Sequence, residues 1–301
     1  MNNKEKLVPS KYHCKYPLNS ERDYVRVTNI VTHILKETIE ENIGAIKAAI
    51  NDGTRFDSAK DNQRKRQSER MTSITRTTHS LESIFDRMKK EISRRLAIYD
   101  IKKLVVAISQ RTQKLSVNEF KKACKKTLGI DIRDDVFTGS QIEELIEKWV
   151  SENVELIKSI PYDALDDVKK TVIKNYFEGN TTTSILQEIQ YRYGVTKRRA
   201  RLIARDQVGK LNGEITKNQQ SEAGCKYYQW DTSGDKRVRK EHQELDGKIF
   251  SWDNSHPATN KKGEIIWPGK EIQCRCVSLP VFDLDNIPWE IPKEKESRKL
   301  S

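Results

Sequence analysis

The residues in this sequence that could do chemistry are clustered cations, a close cysteine pair and a few histidines. Lys197, Arg201 and Arg205 recur every four residues, with Arg198 beside them, so a helix would carry them as one cationic strip. Arg64, Lys65, Arg66 and Arg70 form a second cluster upstream. Such strips either contact phosphates or are solvated faces paired with local carboxylates. Any DNA bound this way is held by its backbone, sequence-tolerant and salt-sensitive, because no base-reading motif is present. Catalytic patterns are missing as well. There is no His-Glu-x-x-His, no Gly-x-Ser-x-Gly and no phosphate-cradling glycine loop, and Cys225 has no histidine near it in sequence. No catalytic residue is assigned, and the expectation is a protein that is not an enzyme.

Of five cysteines (Cys14, Cys124, Cys225, Cys274, Cys276), only Cys274 and Cys276 are close together. That is too sparse for a disulfide scaffold and fits a reducing cytoplasm. Fifty-six basic against forty-four acidic residues leave a formal charge of +12, which favours a polyanionic partner. No apolar run reaches the roughly 18 residues of a membrane span, and no apolar signal region follows the N-terminus. A membrane partner is therefore not expected.

The elements that must position these residues follow from hydrophobic spacing. Hydrophobic residues make up 35% and charged residues 33% of the chain, a lean core best served by long amphipathic helices. Residues 1–20, with Pro9 and Pro17, read as an extended arm. Val27, Ile30, Val31, Ile34, Leu35, Ile39, Ile43, Ile46 and Ile50 then mark one long helix, stopped by Asn51-Asp52-Gly53. Thr54–Thr78 is either a connector or a solvated helix. Leu81, Ile84, Phe85, Met88, Ile92 and Leu96 mark the next helix. Ser116-x-x-Glu119 and Ser140-x-x-Glu143 are capping boxes that open two more. Gly129 ends the first of these and Pro161 closes the second. Leu165, Val168, Val172 and Tyr176 mark another helix. The threonines from Thr181 cap a helix that stops at Gly194, and Thr196 caps a longer one ending at Ala223-Gly224. Beyond Gly224 come strand-like segments at 225–230, 248–250 and 274–282, separated by loops rich in Gly, Pro and Asn.

The fold class expected is α+β: a mainly helical N-terminal region followed by a small α+β C-terminal domain. The divisions are 1–20 (arm), 21–179 (helical, partner-binding), 180–283 (C-terminal domain) and 284–301 (charged tail).

The C-terminal order of features is specific. It reads Arg205-Asp206, Gly224, Tyr228-Gln229-Trp230, Asp235-x-Arg237 with Arg239 and His242, Leu245-Asp246-Gly247, Pro268-Gly269, and Cys274-Arg275-Cys276. In that order it resembles the Mu F-like domain of tailed-phage minor head proteins, over about a third of the chain. By the residues themselves, Tyr228 and Trp230 are core aromatics and Gly247 a turn glycine. Asp235, Arg237 and Arg239 form an ion-pair network.

The resemblance implies a minor head protein of a tailed phage or prophage, acting in procapsid assembly through the portal, with scaffold or capsid proteins as further partners. DNA packaging or delivery could follow from that place, with phosphate contacts to phage DNA. It implies location in the virion head, and in the bacterial cytoplasm during assembly. Family members often carry two cysteines, or a cysteine and a histidine, in the Asp-Arg run besides the Cys-x-Cys, four ligands that could hold zinc. Here Arg239 stands at one of those positions. The set is then His242, Cys274 and Cys276, unless His256 or Asp235 completes it, and no cofactor is expected beyond that zinc ion. Two other readings remain: a sequence-independent DNA-binding protein, and a metal-dependent nuclease or toxin-associated module. No extra domain is expected after residue 283, which argues against a toxin fusion.

Overall fold

The computed structural model describes residues 7–54, 63–132 and 140–286, with side chains from 53 to 70 and at 140 outside the description. The protein is α+β. A short strand β1 (Leu7–Pro9) leads into five long helices, α1 (Leu18–Thr54), α2 (Gln63–Leu96), α3 (Ile101–Leu128), α4 (Ser140–Phe177) and α5 (Thr182–Glu222). Then follow β2 (Tyr227–Asp231), α6 (Lys240–Leu245), β3 (Ile249–Ser251), β4 (Ala258–Thr259), β5 (Ile265–Ile266) and β6 (Val277–Asp283).

By contacts the chain forms two compact units, and each draws on several stretches of sequence. One comprises residues 25–104 and 152–202, the other 1–24, 105–151 and 203–301. The first is helical. Val27, Val31, Ile34, Leu35, Ile39, Ile46 and Ile50 of α1 are buried, as are Leu81, Ile84, Phe85, Met88, Ile92 and Leu96 of α2. These are the stripes that three-and-four spacing marks, and burial of such stripes is what stabilises long helices.

The second unit holds the sheet, ordered β1-β6-β2-β3 with every neighbouring pair antiparallel. Strand β6 is central and buried along its whole length. Phe282 packs into one core with Phe120, Cys124, Ile130, Ile132, Ala223 and Cys225. Tyr228, Trp230, Phe250, Trp252, Cys274 and Cys276 make another. Strand β2 alternates as a one-sided strand should, with Tyr228 and Trp230 buried. β4 and β5 pair as a separate two-stranded ribbon.

Several helix boundaries differ from the sequence reading, each for a physical reason. Pro161 does not end α4. Ile157 and Ile160 before it, and Leu165, Val168 and Val172 after it, are all buried. At roughly 1.5–3 kcal/mol per buried side chain, that stripe outweighs the ~3 kcal/mol a helix-interior proline costs. Gly194 likewise lies within the continuous α5, since a helical glycine costs only about 1 kcal/mol.

Ser116-x-x-Glu119 opens no helix, because it lies inside α3. Ser116 Oγ instead donates to Gln219 Oε1 (2.6 Å), and Glu119 accepts from Tyr12 OH (2.8 Å) and the Lys15 N–H (2.9 Å). The pattern is genuine, but partners about a hundred residues away claim both side chains. Of the stretch after Thr54, a helix is present from Gln63 onward, and within it Ser73 and Thr77 are buried rather than solvated. Strand β1 carries no alternation in sequence, and its pairing with β6 is what defines it.

Candidate metal centre

The site is built where β2, α6 and the loop before β6 meet. Trp230 is completely buried on β2, and its ring meets the His242 ring edge-on at 5.1 Å. His242 is buried on α6. Asp246 and Gly247 form the turn after α6: Asp246 Oδ1 accepts from the Thr232 N–H (2.8 Å), and the Gly247 N–H donates to Trp230 O (2.8 Å). Gly247 has φ +74, the left-handed conformation that the turn requires.

The loop before β6 is held against α5 by missing side chains. A Cβ on Gly209 would lie 2.7 Å from Cys274 O, and one on Gly213 2.5 Å from Pro268 O. Below, Gln273 adopts φ +58 with its N–H on Asp206 Oδ1 (2.9 Å), while Lys210 pairs with Asp206 Oδ2 (2.8 Å). Lys217 and Lys270 place their Nζ atoms 3.9 and 4.2 Å from the Trp267 ring centroid. The loop is therefore fixed by backbone contact, an aspartate bridge and cation–π contacts.

Cys274 and Cys276 are brought to His242. Nδ1 of the histidine lies 3.6 Å from Cys274 Sγ and 3.5 Å from Cys276 Sγ, and all three residues are buried. Tetrahedral zinc with bonds of about 2.3 Å to sulfur and 2.0 Å to nitrogen separates such ligands by roughly 3.6 Å. The spacing fits. The other ring nitrogen, Nε2, is 2.7 Å from Glu271 Oε2, the carboxylate–histidine arrangement that orients a metal-bound imidazole.

Burial lowers the His242 pKa, but Cys274 and Glu271 outweigh it and the net shift is upward. The two sulfurs share one negative charge: hydrogen bonding from Cys276 holds Cys274 down against its burial, and Cys276 is raised correspondingly. A buried thiolate facing an imidazole is a soft donor set suited to zinc.

The remaining candidates fall elsewhere. Asp235 pairs with Arg275 and with Arg237 (3.0 Å), and His256 stacks on Phe250 with centroids 5.7 Å apart. Neither belongs to the ligand cluster, which among the described residues is three groups. Arg239 donates to Glu271 (3.2 Å) and Ile272 O (2.6 Å), so it braces the histidine's carboxylate partner. On α5, Lys197, Arg198 and Arg201 are exposed. Arg205 is part-buried and 3.4 Å from Glu21. The side chains of Arg64, Lys65, Arg66 and Arg70 lie outside the described residues.

Sequence reading missed Glu271, which no local pattern singles out, and the Gly209/Gly213 notch. The second had a signal, since two glycines four apart on a helix mark a close backbone approach.

Comparison with known proteins agrees with the C-terminal assignment. Residues 166–279 match the family model described as phage Mu protein F like protein. An uncharacterized protein of Haemophilus influenzae is 34% identical over 180 residues, 58% of this chain and 39% of that protein. The NAD(+)--arginine ADP-ribosyltransferase EFV of Enterococcus faecalis is 29% identical over 143 residues, 45% of this chain and 29% of that protein. The chain thus spans well under half the length of either relative. No solved structure matches. The stretch that carries the histidine, the cysteine pair and the glycine notch thus lies within the residues that are similar to phage Mu protein F like protein.

Proposed function

We propose that this protein is a minor head protein of a tailed phage or prophage, acting in procapsid assembly through association with the portal. The observation that carries this reading is the Mu F-like match over residues 166–279. Scaffold or capsid proteins are further partners in this reading, and its place is the virion head. Packaging or delivery of DNA would follow from a position at the portal, with Lys197, Arg198 and Arg201 available for phosphate contacts. No described helix is long and apolar enough to cross a membrane. The role is structural rather than catalytic. The transferase name belongs to a protein of which this chain covers 29%, and its activity is not carried over.

The test is co-expression with the portal protein of the same genome. Co-purification from assembling procapsids is the expected result; a portal that assembles without retaining this chain would sink the proposal.

A second reading concerns the site itself. The ligand spacing and the Glu271 contact support a zinc ion held by His242, Cys274 and Cys276. Bound there, the metal would tie α6 to the loop before β6. Three protein ligands leave the fourth position to water or another small donor.

A further inference from the structure

We propose that the arginine-lined pocket beside His242 binds a phosphate-type oxyanion. The pocket encloses about 250 Å³ and is lined by Arg205, Arg237, Arg239 and Arg275 together with His242 and Gln273, with no carboxylate in its wall. Since a water molecule occupies roughly 30 Å³, there is room for a phosphate or diphosphate group.

The carboxylates behind the wall are shared. Asp235 serves both Arg237 and Arg275, and Glu271 serves both Arg239 and His242. Arg205 in turn pairs with Glu21, so each guanidinium has a carboxylate behind it, and what marks the pocket is that four guanidinium groups line one hollow. Each guanidinium has five N–H donors, and most of those in this pocket have no protein acceptor among the described residues. Those donors reach solvent, which a bound anion would displace. The side chains of Arg275 and Arg205 are only 17% and 25% exposed. Planar forks held around one hollow suit a tetrahedral oxyanion, whose several oxygens can each take a fork, better than a two-oxygen carboxylate.

The wall is also set before any ligand arrives. Arg239 is pinned to Ile272 O (2.6 Å), Arg275 to Asp235, and Gln273 is held at φ +58 by Asp206. Little ordering is then required on binding. The inference goes beyond the assembly role; since His242, Cys274 and Cys276 also line this pocket, the EDTA-treated arm of the test separates an anion held by the arginines from one held by a metal. The same chemistry could come from free phosphate or from the phosphodiester backbone of a nucleic acid.

The test is calorimetric titration of the full chain with inorganic phosphate, pyrophosphate and acetate, both as purified and after dialysis against EDTA. Pyrophosphate is expected to bind and acetate not. Arg237→Ala, at an exposed position, is expected to weaken pyrophosphate binding by about tenfold, and Arg275→Lys, which keeps the charge but loses the fork, by a similar factor. The double variant Lys102→Ala/Lys103→Ala, exposed on α3 and outside the pocket, is expected to leave it unchanged. Labelled single-stranded dT20 separates the sources: displacement by pyrophosphate assigns backbone phosphate, and absence of competition assigns the free anion. No pyrophosphate binding at millimolar concentration, or binding that ignores both arginine variants, overturns the proposal.

Discussion

Gly213 of α5 and Gly269 of the loop before β6 touch backbone to backbone: a Cβ on Gly269 would lie 3.1 Å from the Gly213 Cα and 2.5 Å from Gly209 O. Gly269 has φ +92, and its N–H points to Cys274 Sγ at 3.4 Å. The contact therefore does two things at once. It seats the loop on the helix and delivers a hydrogen-bond donor to a candidate metal ligand.

Gly213→Ala is expected to destabilise the protein by about 2–3 kcal/mol, because the new methyl meets Pro268 O, a backbone atom that cannot rotate away. Gly263→Ala is the control. That residue has φ +77 but open space around it, so only the backbone term of about 1–2 kcal/mol applies. Thermal melts of the two variants decide the matter; equal losses would mean that the close approach is not a constraint.

Glu119 is expected to make stability depend on acid pH. Burial works to raise its pKa, but bonds from Lys122, Tyr12 and the Lys15 N–H outweigh it and hold the carboxyl below its ordinary value of 4.5. A depressed carboxylate contributes stability that is present above the unfolded pKa and lost as pH falls through the folded one. The difference between wild type and Glu119→Gln in urea denaturation should be constant near neutrality and shrink below about pH 4.5. Glu119→Ala should cost roughly 1–3 kcal/mol at neutral pH. A difference independent of pH would refute the assignment.

Ser116→Ala should also cost about 1–3 kcal/mol, since it leaves the buried Gln219 Oε1 without its 2.6 Å donor. Helix content by circular dichroism should not change, because Ser116 lies inside α3 rather than at its start. Loss of helical signal in the folded variant would restore the capping role.

Elemental analysis of purified protein is expected to find about one zinc per chain, absent from His242→Ala and Cys276→Ala. Cobalt substitution should show thiolate charge transfer. Chelation should lower the melting temperature, and Glu271→Gln should weaken metal affinity by about 10–100-fold through loss of the histidine's anchor. Protein that is metal-free and takes up neither ion would end the zinc reading.

Much of the fold was legible because long amphipathic helices write their buried face into local spacing. The stripes of α1 and α2, the left-handed glycines at Gly129, Gly179 and Gly224 that follow three helices, and the Asp246-Gly247 turn all follow from nearest-neighbour chemistry. The ordered run from Arg205 to Cys276 likewise carried the resemblance to phage Mu protein F that the family model matches over residues 166–279.

What only the tertiary structure decided is which local signal prevails and which distant groups meet. Pro161 and Gly194 are breakers by propensity, yet burial on both sides of the proline and the small cost of the glycine carry the helix through. Ser116 and Glu119 look like a cap until Gln219, Tyr12 and Lys15 arrive from far along the chain. His242, Cys274 and Cys276 could be named from the sequence, but their 3.5–3.6 Å spacing, the Glu271 support and the shared carboxylates behind the arginines could not. Those depend on a loop seated on two glycines, whose four-residue spacing marks a close approach but does not say which segment, some sixty residues away, makes it.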